Sequence, residues 1–270
     1  MSALVAVAER PMHRTTRSHR DSQERCRAAN IQRSFLPALS VKSVPGFKFT
    51  GFYQPVDGLG GDFYDVIRFD DGCIAFYLAD VSGHDFAAAL VTVWLRQLLH
   101  GLRVQNPDLM HSPARVFESV QKSMELDQLD AAFLTMAYGV LDPRTGELCY
   151  ATAGHPFPLL LHGDEVQSVP EANGPILSSQ FGPEIGWSER KILLEIGDGL
   201  LLFSDGVVDA SDWDGRTLGK AGLLNAAKEG FFVEHSAMAI GKVVQRYVGH
   251  RPAEDDVTLL LLSVSEKPRD

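Results

Sequence analysis

The sequence predicts an α+β fold in which antiparallel β-sheets form a sandwich covered by helices, rather than a doubly wound parallel sheet. Two observations carry this expectation. Strands come as hairpins across short turns, 63–69 to 73–81 over Asp70-Asp71-Gly72 and 133–141 to 147–152 over Asp142-Pro143-Arg144-Thr145-Gly146, and such turns join antiparallel neighbours. Helical patterns are segregated, one pair after the first hairpin and another before the last strand, instead of alternating with strands.

Taken in order, residues 1–20 lack periodicity, contain Pro11 and read as a flexible basic arm. From Asp21, Ala28, Ile31, Gln32, Phe35 and Leu36 fall at helical spacing until Pro37, which predicts an amphipathic helix over 21–37. At 270 residues the chain is long enough for one large core or two small ones. Phe47, Phe49, Gly51 and Tyr53 alternate as a half-buried strand, and 57–61 form a glycine-rich turn. That turn matches neither GxGxxG nor the Walker pattern, so its glycines are read as allowing close backbone approach rather than cradling a nucleotide.

The pattern over 86–102 is a helix apolar around most of its surface, which suits a central position. Ser112 as N-cap and Pro113 at the first position open the next helix, with Val116, Phe117, Val120 and Met124 at core spacing. Residues 158–162 read as a strand, and 165–190, rich in Gly, Pro and Ser, as a surface segment or flap. Strands at 191–196 and 200–204 flank Gly197-Asp198-Gly199, helices follow at 218–228 and 236–248, and 257–264 is the last strand.

Composition narrows the function classes. The formal net charge of −10 argues against nucleic acid as the main partner. Charge is uneven: Arg10, Arg14, Arg17, Arg20, Arg25, Arg27 and Arg33 face only Glu9, Asp21 and Glu24 in the first 33 residues, so a basic arm precedes an acidic body. Cys26, Cys73 and Cys149 lie far apart without CxxC spacing, which fits a reducing cytoplasm better than a disulfide framework or a zinc site. The apolar stretch 86–99 is broken by Arg96, and residues 3–8 are too short for a signal core, so a soluble cytoplasmic protein without a membrane span is expected.

The chemistry rests on aspartates beside apolar strands. Asp62 follows a Gly-Gly pair, Asp80 ends the run 73–79, Asp205 follows 200–204, and Asp255-Asp256 precede 257–262. Any one alone is explained as a turn or cap residue. The same context recurring at Asp62, Asp80, Asp205 and Asp255 points to strand ends converging on one site. Carboxylates so gathered repel unless they hold a cation, and hard oxygen ligands suit Mg²⁺ or Mn²⁺. Two such ions would activate a water as nucleophile and neutralise phosphoryl oxygens, so no covalent intermediate is needed. Accordingly GxSxG is absent. Asp256 is a secondary candidate that points to solvent or caps the strand. His84 and His155 each adjoin a Gly or Pro turn and read first as structural, with proton donation to the leaving serine oxygen the alternative.

The blocks GGDFYD at 60–65, ADVSGH at 79–84, FLTMAYGVLD at 133–142, AGHPFPLLL at 153–161, GDGLLLFSDGVVDA at 197–210 and DDVTLLLL at 255–262 together resemble the bacterial SpoIIE-type branch of the metal-dependent serine/threonine phosphatases, the PPM family. IQRSFLP at 31–37 is similar to the helix that precedes the domain in this branch. The resemblance covers about 28–265 and implies two central β-sheets flanked by antiparallel helices, the PPM-type αββα arrangement, with 38–266 as a phosphatase domain and 21–37 as a regulatory or linker helix. It implies two Mn²⁺ or Mg²⁺ ions, with Asp80 and Asp205 bridging or flanking them, Asp62 and Asp255 completing the shell, and the Val81 carbonyl as a backbone ligand. The implied substrate is a phosphoserine or phosphothreonine on a STAS-type anti-sigma-factor antagonist within a partner-switching pathway. No sensor or receiver domain is evident in the sequence, so control is expected from an activator or sensor protein. The first helix is read as packing on its own domain, with pairing into a homodimer or relay of a partner's signal as the alternatives.

One departure stands out. Asp85 replaces the Gly that closes the ADVSGHG block of the branch, and it is read as the cap of the helix beginning at Phe86. Two other classes compete. A weak or inactive homologue acting as a scaffold is favoured only by Asp85, since all four metal aspartates are present. A nucleotidyl cyclase would need basic residues near the acidic strands, where Lys and Arg are scarce.

Overall fold

The structure, a computed structural model, describes residues 14–37, 42–56, 58–83, 85–129, 132–163, 165–181 and 185–265, with the side chains of 14–22, 42 and 43 left out. Most of the basic arm and His84, one of the two candidate proton donors, lie outside the described residues.

Helix α1 (Arg14–Phe35) leads into strands β1 (Lys42–Val44), β2 (Phe47–Gln54), β3 (Asp62–Arg68) and β4 (Ile74–Val81). Helix α2 (Phe86–Gln105), a 3₁₀ segment (Pro107–His111) and helix α3 (Pro113–Leu126) follow. Next come β5 (Phe133–Asp142), β6 (Glu147–Ala153), β7 (Leu159–His162), β8 (Glu165–Ser168), β9 (Asn173–Gly174), β10 (Leu177–Ser178), β11 (Arg190–Leu193) and β12 (Gly199–Phe203). Helices α4 (Asp205–Asp209), α5 (Gly219–Glu234) and α6 (Ala237–Val248) precede β13 (Val257–Val264).

The strands form two sheets. One has the order β1-β2-β13-β12-β7-β8, the other β11-β6-β5-β4-β3, with β10 on β5 and β9 on β6. Pairings between the named strands are antiparallel except the two-residue β6–β9 ladder. The sheets pack face to face, and their outer faces are covered by α2 and α3 on one side and α5 and α6 on the other.

This layering explains why strands read as continuous apolar runs. In β4, Ile74, Phe76 and Leu78 enter the layer between the sheets, whereas Ala75, Tyr77 and Ala79 meet Leu95, Leu99, Val116 and Phe117 of the covering helices. In β13, Leu260 and Leu262 face inward and Leu259 and Leu261 pack against Phe231 and Ile240. A strand apolar at every position is a strand buried on both faces. Each fully buried Leu or Phe contributes on the order of 1.5–3 kcal/mol, so the four layers are held by burial rather than by surface ion pairs.

Some local expectations change. Helix α1 starts at Arg14, inside the arm, and buries Ala29 and Gln32 while Ile31, placed by its spacing on the buried face, is exposed. Residues 165–190 are not only a surface flap: Ala172, Leu177 and Trp187 are buried, and the short strands β9 and β10 pin the segment to β6 and β5. Helix α4, immediately after Asp205, had no sequence counterpart.

Candidate metal centre

The site is built where β3, β4, β12 and β13 end together. In the β3–β4 hairpin Asp62 is paired directly with Asp80. β12 ends at Phe203, so Asp205 opens α4, and β13, antiparallel to β12, begins beside it just after Asp255-Asp256. The topology thus brings together the four aspartates spread from 62 to 255.

Their electrostatics are those of carboxylates that repel one another. Asp62 is buried, and burial followed by the Asp80 charge holds its pKa well above the usual carboxylate range. Burial and then the charges of Asp205 and Asp255 push Asp80 up to about 7. Asp205, nearer solvent, is raised by burial and by Asp255. Mutual repulsion that each carboxylate would relieve by taking a proton is equally relieved by a divalent cation.

Neutral groups orient the set. The Thr258 hydroxyl donates to Asp62 Oδ2 at 2.5 Å, and Ser204 Oγ accepts from the Thr258 amide at 3.1 Å, tying β12 to β13 beneath the site. Gly61 is a cradle that a side chain would fill: a Cβ there would lie 2.4 Å from the Val81 carbonyl and 2.5 Å from that of Gly83. The bare glycine therefore lets the Val81 and Gly83 carbonyls lie against the backbone that leads into Asp62. Taken together as expected from the sequence, Asp62, Asp80, Asp205, Asp255 and the Val81 carbonyl would offer only oxygen donors, a chemistry that suits Mg²⁺ or Mn²⁺ rather than a thiophilic ion.

Asp256 differs from the expectation of a solvent-facing residue. It is 3% exposed, and its carboxylate accepts from the amides of Val56 (2.9 Å), Gly61 (2.7 Å) and Asp62 (3.3 Å). A Cβ on Gly60 would sit 2.3 Å from its Oδ2. Asp256 is the brace of the glycine turn, and its neighbour Asp255 is left to face the site. Asp85 accepts from Ala87 and Ala88 amides at 2.9 and 3.0 Å and caps α2, as its position predicts. His155 is buried between the Thr135 hydroxyl, at 2.7 Å from Nδ1, and the backbone of Phe203, and burial lowers its pKa to about 3. Thr135 is the cross-strand partner of Asp80, so this neutral ring supports the site from behind.

Two contributors escaped sequence reasoning. Asp209, one α4 turn beyond Asp205, adds to the negative field acting on it; the i, i+4 spacing was the available signal. Gln32 of α1 donates from Nε2 to the Gly60 carbonyl at 2.6 Å and accepts from the Gly60 amide through Oε1 at 3.1 Å, with Thr92 of α2 at 3.0 Å. No local signal could pair it with a turn 28 residues away. Gln32→Ala leaves both backbone groups of Gly60 without this partner, so a loss of about 1–3 kcal/mol in denaturant unfolding is expected, together with weaker Mn²⁺ binding because Gly60 leads into Asp62.

The raised pKa values set a pH dependence. Protonation of Asp80 favours the folded, metal-free chain, and that contribution is complete below its ordinary 3.8 and lost as pH rises to about 7. Mn²⁺ competes with the same protons. The rise in melting temperature on adding Mn²⁺ is therefore expected to be largest above pH 7 and to fade toward 3.8. Burial lowers the His155 pKa to about 3, so its neutral ring contributes stability that is present above its ordinary 6.5 and fades as pH falls toward 3. Scanning calorimetry at several pH values, with Mn²⁺ or with chelator, checks this.

Comparison with known proteins agrees with this architecture. Residues 70–265 match the family model for stage II sporulation protein E, SpoIIE, a span that holds Asp80, Asp205 and Asp255. The phosphoserine phosphatase RsbU of Bacillus subtilis is 26% identical over 189 residues, 70% of this chain and 54% of RsbU. A Mycobacterium tuberculosis structure of RsbU and RsbW domains superposes with a TM-score of 0.71 at 27% identity, covering 84% of this chain and 62% of that one. The SiaA-PP2C domain of Pseudomonas aeruginosa reaches 0.78 at 20% identity, over 92% of this chain and 99% of that domain. The chain spans about half or less of the length of the curated relatives it matches. Among the described residues no helix is long and apolar enough to cross a membrane.

Proposed function

The chain belongs to the SpoIIE family, and from that premise we propose that it is a metal-dependent protein serine/threonine phosphatase whose centre is formed by Asp62, Asp80, Asp205, Asp255 and the Val81 carbonyl. The single observation that carries the reading is the convergence of mutually repelling carboxylates at one end of the sandwich, from buried Asp62 to solvent-facing Asp205, with their largest charge effects coming from one another. Two Mn²⁺ or Mg²⁺ ions held there would supply charge neutralisation of the phosphoryl oxygens and activation of the attacking water.

The protein's own share is positioning. Asp62 is held by Thr258, and its backbone by Asp256, so its carboxylate is fixed before any ligand arrives. Asp80 is fixed by its strand, while Asp205 and Asp255, nearer solvent, border the side from which a phosphorylated residue enters. Because Asp85 is occupied in capping α2, the one feature that favoured an inactive scaffold is accounted for by the helix.

The substrate we propose is a phosphoserine or phosphothreonine on a STAS-type anti-sigma-factor antagonist in a partner-switching pathway. The resemblance to RsbU, itself a phosphoserine phosphatase, supports the phosphoserine part. Control is proposed to enter through α1, by an activator or by pairing with a second copy, since Gln32 couples that helix to the turn carrying Asp62. The test is release of phosphate from a phosphoserine-bearing STAS protein with Mn²⁺ and with chelator. Metal-dependent release is expected; hydrolysis indifferent to metal would overturn the reading.

A further inference from the structure

Among the described residues, a further cluster of metal-ligating side chains lies at the opposite end of the β3–β4 hairpin. From the Asp62–Asp80 pair the ladder runs to Arg68–Ile74, roughly 20 Å of strand at about 3.3 Å per residue. In the turn beyond, Asp71, Cys73 and His111 each offer a ligand atom, and these atoms lie within 4.8 Å of one another. His111 is the last residue of the 3₁₀ segment between α2 and α3, so the cluster joins elements 40 residues apart.

The hydrogen bonds around His111 define what its ring presents. Nδ1 lies 3.0 Å from the Pro107 carbonyl, an oxygen that can only accept, so Nδ1 carries the hydrogen. In the neutral ring Nε2 is then a bare lone pair, and it faces Asp71 Oδ2 at 2.9 Å, acceptor against acceptor. A second ring proton closes this contact as an ion pair with Asp71, and a divalent cation taking that proton's place would bind both atoms once they spread by a few tenths of an ångström. A backbone carbonyl fixing the far nitrogen is the usual support of a metal-bound imidazole. The ring is also held by packing, 4.6 Å from the Phe69 ring. Burial and the neighbouring Asp71 push the Cys73 thiol up to about 11, so without a cation the sulfur keeps its proton.

We propose that Asp71, Cys73 and His111 form a metal site of the zinc class, binding through one carboxylate oxygen, the Cys73 sulfur and His111 Nε2, with water as fourth ligand. The sulfur and imidazole donors select zinc or cobalt, whereas the all-oxygen catalytic set selects magnesium or manganese, so the two sites take different ions. On binding, Cys73 releases its proton to solvent and the metal–sulfur bond forms without any change of oxidation state. The ion would staple the hairpin turn to the segment that leads into α3.

Titration of the reduced, untagged full chain with Co²⁺ tests this. A sulfur-to-cobalt charge-transfer band saturating at about one equivalent is expected, lost in Cys73→Ser and in His111→Ala and retained in Asp205→Asn. The catalytic centre has no sulfur and cannot produce it. Asp71→Asn preserves the turn and is expected to raise half-saturation by about tenfold or more. Zn²⁺ should raise the melting temperature of the wild type and not of Cys73→Ser. Absence of the band in the wild type, its persistence in either ligand variant, or unchanged affinity in Asp71→Asn overturns the proposal.

Discussion

Asp80→Asn is expected to reduce metal-dependent phosphatase turnover by at least about 10³-fold while raising the melting temperature of the metal-free protein. The activity loss follows from losing a charged ligand at the point where phosphoryl charge must be neutralised, a contribution of several kcal/mol, at about 1.4 kcal/mol per tenfold in rate. The gain in stability follows from the same charge. Asp80 is held near pKa 7 by burial and by Asp205 and Asp255, so above that pH its ionised form opposes folding. A carboxamide of the same shape removes the repulsion. Asp205→Asn should match the activity loss with a smaller stability gain, since that side chain is nearer solvent. Turnover with Mn²⁺ and thermal melts in chelator at pH 8 check both halves. Full activity, or a destabilised Asp80→Asn, would contradict the assignment.

Asp256→Ala is expected to act on the fold instead. Its carboxylate accepts three backbone amides inside the protein, and hydrogen bonds to a buried charge contribute about 1.5–3 kcal/mol each. Replacing it by a methyl group leaves the amides of Val56, Gly61 and Asp62 without that partner, so a loss of at least about 3 kcal/mol is predicted. Asp256→Asn keeps one accepting oxygen and should fall between. Denaturant unfolding in chelator measures this without metal linkage. A neutral Asp256→Ala, or one whose only defect is metal binding, would make Asp256 a ligand rather than the brace of the glycine turn.

These two neighbours show what was legible in the chain. Asp255 and Asp256 share one local context, both just before an apolar strand, and the sequence separates them only through the family resemblance that assigns Asp255 to the site. Their surroundings differ only in three dimensions, where β13 pairs with β2 and turns Asp256 toward the glycine turn. The layered fold was readable because hairpin turns and uninterrupted apolar strands are local signals, and because burial on both faces leaves few polar positions in β4, β12 and β13. The placement of Asp62, Asp80 and Asp205 at strand ends was readable for the same reason. Gln32 was not, because its partner is a backbone brought near only by packing of α1 on α2. Ile31 misled, since apolar spacing on a largely polar helix does not fix which face is buried. The segment 165–190 misled for the opposite reason: Gly, Pro and Ser read as surface, yet two-residue strands and one buried tryptophan hold it in place.

The most direct test of the metal centre is an anomalous difference map from crystals grown in Mn²⁺. The account predicts manganese peaks within about 2.5 Å of Asp62, Asp80, Asp205 and Asp255 oxygens and of the Val81 carbonyl, absent from crystals of Asp205→Asn or reduced there to partial occupancy. A map without manganese among these oxygens at saturating metal, or with manganese bound only elsewhere on the chain, would contradict it.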